Sequence, residues 1–200
     1  MPSKLFVIYH SGYGHTKIQA EAVYQGAASV EGIEAELITA EEAIARLDDL
    51  DSADAMIFGS PTYIGSMSAA MKQFVEAAAK KWFSLAWKDK VAGAFTNSSS
   101  FSGDKLNTLV GLMINAMQHG MIYVGTAMLP AASHPDSMNS LEGPGPEVMN
   151  RVGSFVGAMA TSFQVDPPNA PPQGDRNMAS AYGQRVAEVT LQFVRGRSGS

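Results

Sequence analysis

Residues 11–16, Ser-Gly-Tyr-Gly-His-Thr, carry the densest set of chemically capable groups in this 200-residue chain. Two hydroxyls (Ser11, Thr16), two glycines (Gly12, Gly14), a phenol (Tyr13) and an imidazole (His15) follow the apolar run Leu5 to Tyr9. Beyond them Ile18, Ala22, Ala27 and Val30 fall into helical spacing. A strand entering a helix through such a loop surrounds it with unpaired N–H groups at the positive end of the helix dipole. That arrangement suits a phosphate, with the Ser11 and Thr16 hydroxyls as added donors. The same hydroxyls would cap a strand-to-helix turn that binds nothing, so the loop alone leaves both readings open.

The kind of phosphate is narrowed by exclusion. A nucleotide P-loop needs a Lys and a Ser or Thr after its second glycine, and Gly14-His15-Thr16-Lys17 has neither in place. A dinucleotide fingerprint needs a third glycine where Lys17 stands. What remains suits a phosphate monoester without a metal partner, such as that of FMN.

Composition bounds the rest. With 46% hydrophobic residues, a chain of this length can bury one substantial core, so a single domain over 1–195 is expected, with 196–200 as a flexible tail. Fourteen Lys and Arg against 19 Asp and Glu give a net charge of -5, which disfavours nonspecific nucleic-acid and anionic-membrane binding. Without cysteine there is no disulfide, thiolate nucleophile or iron–sulfur centre. No signal peptide or long apolar run is present, and a cytoplasmic location is expected.

The elements that must position the loop alternate. Buried-strand patterns cover Leu5–Tyr9, Ile33–Ile38, Ala53–Gly59, Val91–Thr96 and Met121–Val124. Helical stripes run through Ala70, Met71, Phe74, Val75 and Ala78, then through Leu106, Leu109, Val110, Met113, Ile114 and Met117, and finally Tyr182, Val186, Val189 and Phe193. The acidic stretch from Glu41 to Asp54 reads as a solvated short helix and turn, since no His interleaves it. Alternation of this kind predicts a doubly wound α/β fold with a five-stranded parallel sheet, and ligands then bind beyond the carboxyl ends of the strands. The loops after strands one, three and four are the polar ones. Residues 130–177, punctuated by eight prolines, read equally as an ordered flap at the site and as a mobile linker.

Five segments together resemble the flavodoxin-like proteins, and among them the WrbA-type NAD(P)H:quinone oxidoreductases. SGYGHT resembles that family's phosphate loop, and SPTYIGSMSAAMKQF its TPT…FGNM segment. KWFSLAWKDKVAGAFTNSSS is similar to its connection into strand four, LMINAMQHGMIYVG to its His-Gly pair and strand five, and MASAYGQRVAEV to its last helix. The resemblance implies FMN phosphate on Ser11–Thr16 and ring contacts from Pro61, Thr62, Tyr63, Ile64 and Gly65. It implies further contacts from Asn97, Ser98, Ser99, Ser100, Phe101 and Ser102, with His119 near the pyrimidine edge. Trp82 would wall the open face where nicotinamide or quinone stacks, and Tyr13 would lie near the nicotinamide nucleotide. The residues also allow plainer roles: Trp82, Tyr63 and Phe101 as packing, and His119 as a helix C-terminal residue favoured by the dipole.

The same resemblance implies NADH or NADPH as co-substrate and a quinone or similar acceptor, with two-electron ping-pong transfer through the flavin. It implies a homo-oligomer, dimer or tetramer, in which Phe155–Phe163 approaches a neighbour's FMN. Alternatives are a one-electron carrier and a flavin-free binding protein of the same fold. The chain departs from the family pattern in having NSSSFS where TGTGGG is usual, Tyr63 where Arg is common, and no insertion between strands two and three.

Overall fold

The apolar run at the start of the chain is continuous because its alternate side chains enter two different cores. In the computed structural model, which describes residues 2–198, strand β1 (Ser3–Tyr9) sends Leu5 and Val7 to one face and Phe6 and Ile8 to the other, all buried. It is followed by α1 (His15–Ala28), β2 (Ile33–Thr39), α2 (Ala40–Ala45) and a 3₁₀ turn at Asp49–Ser52. Then come β3 (Ala55–Tyr63), β4 (Ser66–Met67), α3 (Ala69–Ala77), α4 (Ala79–Phe83), β5 (Val91–Ser98) and α5 (Lys105–Gln118). The chain ends with β6 (Ile122–Tyr123), a 3₁₀ turn at Ala131–Ser133, β7 (Ala158–Thr161) and α6 (Gln173–Ser198).

The main strands run parallel in the order β2-β1-β3-β5-β6, which reverses direction beside β1 and so makes the doubly wound topology expected. One core holds Phe58, Phe74, Trp87, Leu109 and Leu112 under α3 and α5. The other holds Val23, Ile57, Phe95, Tyr182 and Val186 under α1 and α6. These last two helices touch through glycine: a Cβ on Gly26 would stand 1.8 Å from the Ser180 carbonyl oxygen, and one on Gly183 2.0 Å from that of Val23. No side chain fits between backbones that close.

The fifth strand position differs from expectation. Instead of one strand over Met121–Val124, two short strands share it: β6 lies beside Val91 and Ala92, and β7 beside Phe95 to Ser98. Residues 124–157 make an excursion between them. The gap leaves Ala94 N–H and the Val124 carbonyl facing each other without strand partners, and the buried Tyr182 hydroxyl serves both, accepting at 3.1 Å and donating at 2.6 Å. Burial drives that phenol's pKa far above its ordinary value, so it stays a neutral donor.

The acidic stretch does more than face water. Asp48 and Asp51 both accept from the Lys81 ammonium at 2.6 Å, and Asp51 also accepts the indole N–H of buried Trp87 at 3.0 Å. The pairing pulls Asp48 below and pushes Lys81 above their ordinary pKa values through those hydrogen bonds. Of the expected tail, residues 196–198 continue α6, and Gly199 and Ser200 lie outside the described residues. No helix among the described residues is long and apolar enough to cross a membrane.

Candidate functional site

At the carboxyl edge of the sheet, the loops after β1, β3 and β5 surround a cleft of about 550 Å³ with the segment that follows β7. Its floor begins at the 11–16 loop. Gly14 caps α1 with φ 94°, a left-handed conformation that glycine takes without strain, and its N–H donates to the Ser11 hydroxyl at 3.1 Å. Thr16 is buried in the first turn and lines the cleft. The loop offers backbone N–H groups and the Ser11 and Thr16 hydroxyls, with no carboxylate inside it, which fits a phosphate at a helix N-terminus.

The β3–β4 turn forms one wall. Thr62 pairs with Met67 and Tyr63 with Ser66, leaving Ile64 and Gly65 as a two-residue hairpin turn in which both have positive φ, 47° and 75°. A β-branched side chain is strained there, and Ile64 is fully exposed beside the cleft. Asn107 on α5 holds the turn by donating to the Gly65 carbonyl at 2.7 Å. Tyr63 leans over the phosphate loop, edge-on to Tyr13 with ring centroids 6.1 Å apart. Its hydroxyl covers Gly12 so closely that a Cβ there would lie 2.5 Å away. Burial, then the neighbouring Tyr13, raises the Tyr63 pKa. The Thr62 hydroxyl points the other way, bonded at 2.8 Å to both Thr96 and Thr108, so this residue meets the cleft with its backbone.

The opposite wall is the end of β5 joined to the end of β7. Ser162 N–H donates to the Ser98 carbonyl at 3.0 Å and Phe163 N–H to that of Ser99 at 2.9 Å, while the Asn97 amide meets the Ser162 hydroxyl at 3.3 Å. His15 contacts the Val165 carbonyl oxygen at 2.6 Å, and Pro167 lies 3.0 Å from where a Cβ on Gly14 would be. The first half of the 162–167 segment is thus tied to β5 and the second half to the phosphate loop.

The family model for NADPH-dependent FMN reductases matches residues 29–135. The chain is 40% identical to "Flavodoxin FldP" of Pseudomonas aeruginosa over 96% of its own length and 98% of that protein. It is 34% identical to an NAD(P)H dehydrogenase (quinone) of Archaeoglobus fulgidus, covering 94% and 97% of the two chains. The crystal structure of a flavodoxin, WrbA-like protein from Agrobacterium tumefaciens superposes with TM-score 0.69 at 38% identity, covering 96% of this chain and 99% of that one. The chain belongs to the NADPH-dependent FMN reductase family. Its fold and its relatives are those of the WrbA-type, flavodoxin-like proteins.

Against that family background, Gly12, Gly14, Ile64 and Gly65 stand in the two turns just described, the Ser100 carbonyl accepts from the Lys105 ammonium at 2.6 Å, and the remaining sequence-expected residues divide into three groups. Ser11, Tyr13, His15, Thr16, Pro61, Thr62, Tyr63, Asn97, Ser98 and Ser99 all line one cleft. Phe101 and Ser102 line a second cavity instead, of about 1070 Å³, bounded by α5 and residues 142–156. Phe101 there packs edge-on against Phe163 at 4.8 Å, with the Arg151 guanidinium over both rings.

Trp82 and His119 form the third group and require correction, for both stand at the amino-terminal edge of the sheet. Trp82 lies in α4, whose Lys81 is bound to the segment entering β3, and it is half exposed against Phe83. His119 ends α5 just before β6 and stacks on buried Trp87 at 4.5 Å. Burial lowers its pKa, so it is a neutral packing residue within its own chain. In a parallel sheet the two edges are a full strand length apart, so neither residue shares a cleft with the 11–16 loop of the same chain.

Residues 158–161, expected near a neighbouring subunit, are β7 and are buried in their own sheet; Phe155 and Phe163 at its flanks stay exposed. Sequence reading missed Ser162, Gln164, Asp166 and Pro167, which line the cleft, and Lys105, Arg151 and Asp175 behind it. A Thr161-Ser162 pair after the short apolar run Ala158–Ala160 was the available signal.

Proposed function

We propose that the chain transfers two electrons from NADH or NADPH to a quinone or similar small acceptor by a ping-pong mechanism, with donor and acceptor reacting in turn at a single FMN. The observation that carries this reading is the convergence of four polar loops on one cleft at the carboxyl edge. FMN supplies the hydride and electron chemistry when bound. The Ser11–Thr16 loop holds its phosphate through backbone N–H groups and two hydroxyls. Tyr63, Ile64 and the Thr62 and Gly65 backbones orient one side of the ring, and Asn97, Ser98, Ser99 and Ser100 face the other. With His119 packed elsewhere, the donors that answer negative charge on the ring fall to the Asn97–Ser100 loop.

Anaerobic mixing of the FMN-loaded protein with NADPH should bleach the flavin, and later addition of benzoquinone should restore it. Bleaching that is slow, together with fast one-electron exchange with a redox protein, would favour the carrier reading that the flavodoxin name of the Pseudomonas relative supports. A colourless protein that takes up no FMN would overturn both.

Trp82 can serve a cleft only in a second copy of the chain. We therefore propose a homo-oligomer, dimer or tetramer, with exposed Trp82, Phe83, Phe155 and Phe163 at its contacts. Light scattering should give two or four times the 21.2 kDa chain mass, and Phe155→Asp should lower it. A fully active monomer would remove Trp82 from the mechanism.

A further inference from the structure

Behind the β5 loop, on the side away from the cleft, three charged side chains are buried around Thr161. The Lys105 ammonium, with no exposed surface, donates to the Thr161 hydroxyl at 3.1 Å, to the Ser98 hydroxyl at 2.9 Å and to the Ser100 carbonyl at 2.6 Å. Asp175 accepts the Thr161 N–H at 2.8 Å and pairs with Arg151 at 2.8 and 3.1 Å. Arg151 reaches the Thr161 carbonyl at 3.4 Å. Side-chain exposure in that pair is 4% and 1%. Two cations share one carboxylate, so the cluster carries an uncompensated positive charge. Arg151 holds the carboxylate bidentately, and Lys105 is bonded only to neutral groups.

Burying an unpaired ammonium is costly, and an apolar or amide side chain would hold this loop more cheaply. Its position explains its presence. Ser98 lines the cleft, and its hydroxyl, which accepts from Lys105, donates to the Ser100 carbonyl at 3.0 Å, so the ammonium braces a loop whose first residues face that cleft.

We infer that Lys105 is a positioning residue of the proposed FMN site: its buried charge holds the Ser98–Ser100 loop and raises the affinity of the site for the flavin's reduced, negatively charged form. The inference rests on the proposed function. Hydride transfer from NAD(P)H would bring two electrons and one proton to the ring and leave one net negative charge, which the buried ammonium would stabilise. No proton passes from Lys105 to the flavin.

The charge is also titratable. Desolvation pulls the Lys105 pKa down to about 8, with Asp175 on α6 opposing and Arg151 from the 124–157 excursion reinforcing the shift. The faces toward β5 and β7 offer only hydroxyls and carbonyls, and Asp104, the preceding residue, is exposed. Below pH 8 the amine is charged in both redox states. Above it, the amine is neutral beside oxidised flavin, and reduction draws one extra proton from water onto it.

Spectroelectrochemical titration of the FMN-loaded protein between pH 6 and 9.5 tests this. In the wild type the reduction equilibrium should fall an additional tenfold per pH unit above about pH 8, which is about 30 mV per unit for a two-electron couple. Lys105→Gln keeps polar contacts without the charge. It should lose that break and, at pH 7, show a reduction equilibrium at least tenfold less favourable. Equal midpoints and an unbroken slope in both proteins would overturn the role of Lys105 while leaving the FMN site standing. If the variant does not fold, the wild-type profile decides alone, because an unbroken slope up to pH 9.5 is equally fatal. A chain that binds no FMN defeats the proposed function and this inference together.

Discussion

Asp175→Ala should cost the folded protein about 3–5 kcal/mol, the range for removing one partner of a buried ion pair. The loss is large because the carboxylate has three clients. It neutralises Arg151 through two hydrogen bonds, accepts the Thr161 N–H of β7, and is the anion that opposes desolvation at Lys105. Removing it leaves two cations buried together and a strand N–H without a partner. Urea unfolding of the flavin-free chain at pH 7 measures the effect. Adding Arg151→Met to the variant should recover part of it, because a buried charge disappears with the second substitution. A loss under about 1 kcal/mol would mean that water reaches the cluster and that the pair behaves as a surface bridge.

That cluster shows where the sequence stopped being readable. Lys105 heads a helix whose apolar stripe was plain, and a lysine in the first turn of a helix reads as solvated. Nothing local in Gly-Asp-Lys-Leu says that the side chain turns inward under Ser98. Its burial depends on β7, more than fifty residues later, and on an α6 carboxylate later still. By contrast β1, β3 and β5 were legible because each is covered on both faces and so reads as an unbroken apolar run. The split fifth strand failed for the opposite reason. Four residues at Ala158–Thr161, framed by Gly157 and Ser162, are too few to carry a periodicity that distinguishes a strand from a loop.

The site followed the same division. Ser11 to Thr16 and Tyr63 to Gly65 adjoin strong strands, and their positions come with the topology. Trp82 and His119 were assigned by family likeness, which records that a residue lies near a flavin without recording whose flavin. Strand direction then decides the matter within one chain. Each lies where a helix returns to the amino-terminal edge, so Trp82 in α4 packs against Phe83 and His119 at the end of α5 stacks on Trp87, and neither meets the phosphate loop.

The largest effect on ligand binding should come from the phosphate loop. Ser11→Ala with Thr16→Val removes both hydroxyls while leaving the Gly14 cap and the α1 dipole in place. A hydrogen bond to a charged group contributes about 1.5–3 kcal/mol. Because the two would meet one phosphate and Ser11 also orients the Gly14 N–H, their losses should not simply add. The FMN dissociation constant should rise by roughly 10²- to 10⁴-fold. Riboflavin, which has the ring and ribityl chain without the phosphate, separates this from general damage. Its affinity should be about equal in wild type and variant, since Tyr63, Ile64 and the Asn97–Ser99 wall are untouched. Thermal unfolding of the flavin-free proteins should agree within a few degrees. If riboflavin binding weakened as much as FMN binding, the 11–16 loop would be shaping the ring pocket and the phosphate would have to lie elsewhere.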